Sequence, residues 1–346
     1  MALLKKAKKY FFITTAIIFS LALLTLLLML ANTLSVNQDK PVTGIIESLP
    51  DSAPKDEISI ITYNIAHARG NTSNKNLTDF ERDFTIQSEE AAYEGLDKIA
   101  EMLKTENADI IALQEADLDA TWSFNVDFLP YLAEKAGYKY YAFAYRWNVI
   151  VPYFNKRYNA GYIFPFLKVK AGVAVLSKYP SGFESRLYRK KTFIEWVIGA
   201  NHYLDAVVDI GGKKLRVLDA HLDSESTENK MLEARALITD VRATGTPSVV
   251  LGDLNAVLPI AKSAKPERLK SFKNDMTMES FIESGLFEIY MQEISPEDER
   301  FMTANTDELH KAIDFILPTK DIVIKEYKVL EYVHSDHRAV KAVLVI

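Results

Sequence analysis

From Phe11 to Ala31 the chain runs 21 residues without a charged side chain. A helix of about 20 apolar residues spans the hydrocarbon core of a bilayer. This run must therefore be housed in a membrane or cut away. Secretory signal peptides carry a shorter apolar region of roughly 7–15 residues and a small-x-small cleavage site. Here the run is longer, and "LMLANT" is a poor cleavage match. We read residues 11–31 as an uncleaved transmembrane anchor. Residues 1–10 carry Lys5, Lys6, Lys8 and Lys9 and form a basic, cytoplasmic N-terminus. That topology places the rest of the chain on the extracytoplasmic side of the cell membrane, as a single-pass protein whose partner is the bilayer.

Residues 32–56 are polar and contain Pro41, Pro50 and Pro54, which reads as a linker. As a flexible coil it would span about 28 Å, keeping the following domain near the membrane. That domain, residues 57–346, holds 43 acidic and 35 basic residues, net charge −8. A bulk polyanion binder is excluded, though a local basic patch is not. The chain contains no cysteine, which excludes disulfides, thiolate metal sites, a cysteine nucleophile and a lipid-modified cysteine.

Strands and helices alternate from Glu57, with more strands than helices. "ISIITYN" (58–64), "ADIIALQE" (108–115), "AGVAVLS" (171–177), "PSVVLGDLN" (247–255), "AIDFILP" (312–318), a stretch near 323–331 and the closing "AVKAVLVI" read as strands. Residues 203–223 read as a hairpin about a Gly-Gly turn. Ser88–Asn107 and Thr227–Ala243 read as helices, the first with Ser88 as cap and acidic residues in its first turn. Strands from both ends of the chain predict packed sheets with helices outside. No GxGxxG or P-loop signature occurs.

One pattern recurs. Apolar strands stop at polar residues suited to hard cations and phosphate: Asn64, Gln114-Glu115, His221, Asp253-Leu254-Asn255, Asp314 and Asp336-His337. Each alone could be a cap or a satisfied polar group. Strand ends of a sheet share a rim, and a carboxylate on a buried strand is costly unless paired or metal-bound. Mg²⁺ or Mn²⁺ takes oxygen ligands. Glu115 is the best candidate ligand, helped by Asn64 and Asp336. Asp253 could orient or deprotonate an attacking water, and Asn255 could donate to phosphoryl oxygens. His67, His202, His310 and His334 lack a partner at ligand spacing and read as surface or satisfied core residues. His67 and Arg69 follow Asn64 and could still touch substrate. Asp117 and Asp119 read as loop residues, and Asp219 as a hairpin residue facing away.

"TYNIA", "IIALQEAD", "DAHLDS", "VVLGDLNA", "AIDFIL" and "HSDHRAV" resemble, in this order, the motifs of the endonuclease/exonuclease/phosphatase superfamily. That group contains DNase I-like nucleases, neutral sphingomyelinases and inositol-polyphosphate phosphatases. The resemblance spans about residues 58–346. It implies a four-layer α/β sandwich, two packed and mostly antiparallel sheets flanked by helices, and divalent-metal-dependent phosphoester hydrolysis. It also implies that His337 pairs with Asp314 as an imidazolium beside the phosphate, an alternative being His337 as the base. His221 would be a second phosphate contact or proton donor.

These motifs leave the substrate open. Residues 140–166 hold eleven aromatics. The part from Trp147 to Phe166, with Arg146, Lys156 and Arg157 beside or within it, reads as a long loop or hairpin suited to a membrane interface. Trp147 is the candidate contact there. With the anchor, this favours a phospholipid or sphingolipid headgroup diester. A membrane-anchored nuclease and a catalytically inactive binding module are the alternatives. No obligate protein partner is expected.

Overall fold

A computed structural model describes residues 2–71, 82, 85–152 and 166–346. Helix α1 (Ala2–Leu34) carries the apolar run. The 32–56 stretch, expected as a free linker, is partly built into the domain. Strand β1 (Val42–Ile45) pairs antiparallel with β4 (Tyr140–Pro152), and the flanking Gln38 is buried. No sequence periodicity marks so short an edge strand.

Two sheets form the centre. The larger has seven strands in the order β1-β4-β5-β3-β2-β12-β11. They comprise β2 (Glu57–Asn64), β3 (Ile110–Ala120), β5 (Phe166–Ser177), β11 (Val323–Val329) and β12 (Val340–Val345) with β1 and β4. The smaller has five, β10-β9-β8-β7-β6, from β6 (Ser181–Leu187), β7 (His202–Ile210), β8 (Lys213–His221), β9 (Ser248–Asp253) and β10 (Asp314–Pro318). Only the β2/β3 and β8/β9 pairs are parallel; the remaining pairs are antiparallel.

Alternation sets the layers. On β2, Ile58 and Ile60 enter the core between the sheets, with Val217, Leu251 and Ile316 of the facing sheet. Ile61 and Tyr63 point the other way, under α2 (Glu89–Glu106) and α3 (Phe128–Ala136), with Leu96, Ile99 and Leu129. The other sheet is covered by α5 (Thr227–Thr244) and α7 (Thr277–Ser284), which supply Leu237, Met278 and Phe281. Helix, sheet, sheet, helix is the expected four-layer sandwich. Two short helices, α4 (Phe193–Ile198) and α6 (Pro259–Ala264), lie in connections. The N-terminus of α2 is capped as its sequence predicts, with Ser88 Oγ accepting from the Ala91 amide at 3.2 Å. The hairpin expected beyond Trp147 exists as β4 and β5, paired to Pro152↔Phe166; residues 153–165, including Tyr153 and Phe154, lie outside the described residues.

One glycine is required by the sheet that carries the site. Gly252, just before Asp253, has φ of +137°, and a Cβ there would stand 1.8 Å from the Ala220 carbonyl oxygen. Backbone cannot retreat as a side chain can. Gly252→Ala is expected to destabilise the fold by about 3 kcal/mol, read as a lower denaturation midpoint.

Candidate active site

The same alternation that builds the core aims the polar residues. Asn64 shares the parity of Ile58 and Ile60, so it continues their inward face past the end of the core. Gln114 follows Ile110 and Ala112 in the same way. In the facing sheet, register places His221 beside Asp253 and Asp314 beside Asp253. The two sheets touch through these groups. Asn64 Nδ2 donates to Asp253 Oδ2 at 3.1 Å, and Gln114 Nε2 donates to Asp219 Oδ1 at 2.6 Å.

Glu115 is the exception. Strict alternation would send it outward, away from Asn64. The β3/β5 ladder, however, shifts between Leu113 and Ala116, and Glu115 has φ of +53°. This bulge turns the carboxylate inward, where Glu115 Oε1 accepts from Asn64 Nδ2 at 3.1 Å. The loop before β12 is tied to β2 by Ser335 Oγ, which donates to the Asn64 carbonyl at 2.7 Å. That tie brings Asp336 and His337 to the rim.

Buried Asp253 and Asp314 and half-buried His337 form a triad, the one group of three acidic or histidine side chains close enough to share an ion among the described residues. Nδ1 of His337 lies 2.9 Å from Asp314 Oδ2, and its Nε2 lies 3.8 Å from Asp253 Oδ2. Burial disfavours charge on His337, but the carboxylates of Asp314 and Asp253 outweigh it and push its pKa up to about 10. While it is protonated, His337 offers no lone pair to a metal. Burial and the Asp314 charge raise Asp253 to about 6, against the pull of His337. His221 Nε2 lies 3.6 Å from Asp253 Oδ2. Its burial, with Arg146 and His337 nearby, holds its pKa well below the usual range. One imidazole is thus charged and the other neutral on either side of one aspartate.

The oxygen donors gather on the opposite side. Glu115 and Asp336 flank Arg69, whose guanidinium donates to Asp336 Oδ2 at 2.9 Å and lies 3.7 Å from Glu115 Oε2, and Asn64 joins them through Glu115. Burial opposes ionisation of Glu115, but His67 and Arg69 more than offset it, and its pKa is lowered. Asp336 is lowered too, by His337, Arg69 and Arg82 against its burial. Two ionised carboxylates and an amide, free of sulfur and imidazole, fit a hard divalent cation.

Several residues differ from their sequence reading. Asp117 is no loop residue. It is fully buried, accepts from Trp122 Nε1 at 2.8 Å and Ser123 Oγ at 2.5 Å, and meets His67 Nδ1 at 2.8 Å. His67 therefore has a partner, and its Nε2 stands 3.6 Å from Glu115 Oε2. Asp219 does not face away but meets Gln114. Asn255 donates one amide hydrogen to the Leu222 carbonyl at 3.0 Å, leaving a second, and its own carbonyl accepts from Lys230. Arg146, at a bulge between Tyr145 and Trp147, acts on His221, and its Nη1 is buried without a hydrogen-bond partner. Its only sequence signal is a cation within an aromatic run. Trp147 is 39% exposed, with no hydrogen bond or ring contact joining it to this cluster.

Residues 61–337 match the model of the Endonuclease/Exonuclease/phosphatase family. The chain belongs to this family. Solved structures agree on the fold. An endonuclease/exonuclease/phosphatase from Beutenbergia cavernae DSM 12333 superposes with a TM-score of 0.60 at 18% identity, over 84% of this chain and 72% of that one. A family protein from Leptotrichia buccalis C-1013-b gives 0.53 at 17% identity, over 84% and 100%. ANGEL2, a 2',3'-cyclic phosphatase, gives 0.52 at 13%, over 88% and 97%. No curated protein matches the chain. Members of the endonuclease/exonuclease/phosphatase family are phosphoesterases that generally use divalent metals, and the rim described above lies within the matched span.

Asp219 gives a test of the buried contact between the sheets. Burial raises its pKa well above the usual carboxylate range, against the hydrogen bond from Gln114, and its Oδ2 has no partner. A carboxyl whose folded pKa exceeds its unfolded value costs stability as pH rises above the unfolded value. Asp219→Asn keeps the Gln114 acceptor and removes the charge. Its melting temperature is expected to exceed wild type, by a margin that widens from about pH 5 to about pH 8.

Proposed function

We propose that this chain is a membrane-anchored, divalent-metal-dependent phosphoester hydrolase that acts on lipid headgroup diesters. The observation that carries the reaction is the contact of Asn64 with both Glu115 and Asp253, at 3.1 Å each. One amide joins the oxygen-donor side of the rim to the proton-handling side.

Glu115, Asn64 and Asp336 would hold Mg²⁺ or Mn²⁺. Once bound, the ion supplies polarisation of a phosphoryl oxygen and stabilisation of the departing oxygen. The chain supplies the remainder. Asp253 is held by Asn64 on one oxygen and by the Asn255 amide, at 2.9 Å, on the other. It takes the proton of the attacking water as the new P–O bond forms and the ester P–O bond breaks. His337, oriented by Asp314, presents Nε2–H to the phosphoryl group and stabilises its growing charge. Neutral His221 and the free amide hydrogen of Asn255 complete the set of phosphate contacts, with Arg146 behind His221. His67, Arg69 and Asp336 line the metal side.

The lipid assignment is supported by the anchor helix and by the acidic domain, which disfavours tracking along a nucleic-acid backbone. The site stands close to the anchor. Asn32 Nδ2, near the end of α1, donates to Asn148 Oδ1 at 3.0 Å, two residues from Arg146. The test is a substrate panel on the full-length chain in micelles with Mg²⁺: phospholipids, sphingomyelin, DNA, RNA, inositol phosphates and a generic diester. Lipid headgroup release that stops on chelation is expected. Preferential cleavage of DNA or RNA would move the assignment to a nuclease. No hydrolysis of any substrate would leave a binding module.

A further inference from the structure

Helix α4 leaves its large apolar residues outside the domain. Phe193, Ile194 and Trp196 are 73%, 67% and 40% exposed, while Val197 is buried. The rings of Phe193 and Trp196 stack at 6.4 Å. The helix is held firmly for its length. Thr192 and Glu195 form a reciprocal cap, and Arg189 clamps Glu195 through two hydrogen bonds of 2.9 and 2.6 Å. An apolar face of this kind, on a rigid support, marks a surface that water does not cover in function.

What covers it follows from its neighbour. The last turn of α1 docks on α4, with Thr33 Oγ1 donating to the Val197 carbonyl at 2.8 Å. The exposed face therefore sits where the apolar run ends. Residues 11–31 make about 31 Å of helix, close to the thickness of a hydrocarbon core. That puts Asn32–Leu34 at the headgroup level, and α4 with it.

We propose that the Phe193–Ile194–Trp196 face inserts into the headgroup region of the bilayer that holds α1, fixing the catalytic rim against the membrane surface. The inference rests on the membrane-anchored reading of α1. Its consequence for the site runs through a short, stiff connection. Gly199 ends α4 against β4, where a Cβ would lie 2.6 Å from the Asn148 nitrogen. Two residues on, Asn201 Nδ2 donates to the His221 carbonyl at 3.0 Å. The inserted face and a rim histidine are thus joined by a few ordered residues. Contact with lipid is chiefly apolar: Arg189 is paired with Glu195 and Lys191 with Asp39, Lys190 is an exposed cation beside them, and a zwitterionic bilayer offers it no net charge. Amphipathic aromatics favour this depth.

The experiment is tryptophan quenching in the full chain reconstituted into phosphatidylcholine vesicles, with acyl chains brominated near the headgroup or near the methyl end. Trp196→Phe keeps a ring at the position, so the wild-type emission minus that of the variant isolates Trp196 from Trp122 and Trp147. The Trp196 emission is expected to fall, most with the shallow bromines, and to do so equally at low and high salt. Washing the vesicles with alkaline carbonate separates the two readings. A chain that stays in the vesicles while Trp196 is unquenched overturns this proposal and leaves the anchor standing. A chain released by the wash removes the anchor and this proposal together. A Trp196 signal that depends on the number of chains per vesicle assigns the face to a second copy and overturns it as well.

Discussion

An Asp253→Asn enzyme is expected to turn over about 10²–10⁴-fold more slowly than wild type. The side chain is nearly isosteric, so the β9 strand and its register with His221 and Asp314 should survive. The carboxylate proposed above as the proton acceptor does not. Asp253 is the only described carboxylate within 4 Å of both imidazole Nε2 atoms, at 3.6 Å from His221 and 3.8 Å from His337. Losing its charge also removes part of what keeps His337 protonated. Single-turnover rates on the substrate found by the panel, with circular dichroism as the folding control, are the measurement. A near wild-type kcat would take Asp253 out of the chemical step and shift the role of base to another group.

Glu115→Gln should produce a loss of similar size by a different route. A Lewis-acid contribution of several kcal/mol corresponds to roughly 10²–10³-fold in rate. The amide retains the shape of the Asn64 contact but loses the negative charge that would balance a divalent cation beside Arg69. Calorimetric titration with Mn²⁺ should then show weakened binding, and excess metal should restore part of the rate. Unchanged metal affinity in this variant would place the ion elsewhere. Chelation with no effect on the wild-type enzyme would remove the ion from the reaction.

Much of the rim could be read before the fold, because periodicity carries direction as well as structure. Asn64, His221, Asp253 and Asp314 sit at inward parity on strands whose apolar residues announce themselves, and Asp336-His337 precede a strand equally plain. The residues that escaped are those whose direction is set by something other than local pattern. Asp117 read as a loop residue because β3 was expected to stop at Glu115. The strand in fact continues to Ala120, and only the fold brings His67 across to it. Arg146 is aimed by a bulge. Asp219 needed the opposing sheet to supply Gln114. The role of β1 was invisible for another reason: its four residues are held by an existing edge rather than by their own propensity. Helix α4 was missed because six residues with an outward apolar face do not show the inward stripe by which helices are recognised.

Glu115 owes its place to a miscount. Between Leu113 and Ala116 strand β3 advances three residues while β5 retreats from Ala174 to Gly172, two. Remove one residue from that stretch and the ladder closes without interruption, the left-handed backbone is no longer demanded, and the sheet becomes more regular. With Gln114 the residue removed, Glu115 would take the regular inward place that Gln114 holds now, facing Asp219 of the opposing sheet and no longer turned toward Arg69 and Asp336. The tidier protein would be the inert one. For this architecture, then, the change that separates a hydrolase from a mute scaffold need not be any substitution at the rim. A shift in reading length along one strand suffices, and an inventory of conserved letters would pass over it.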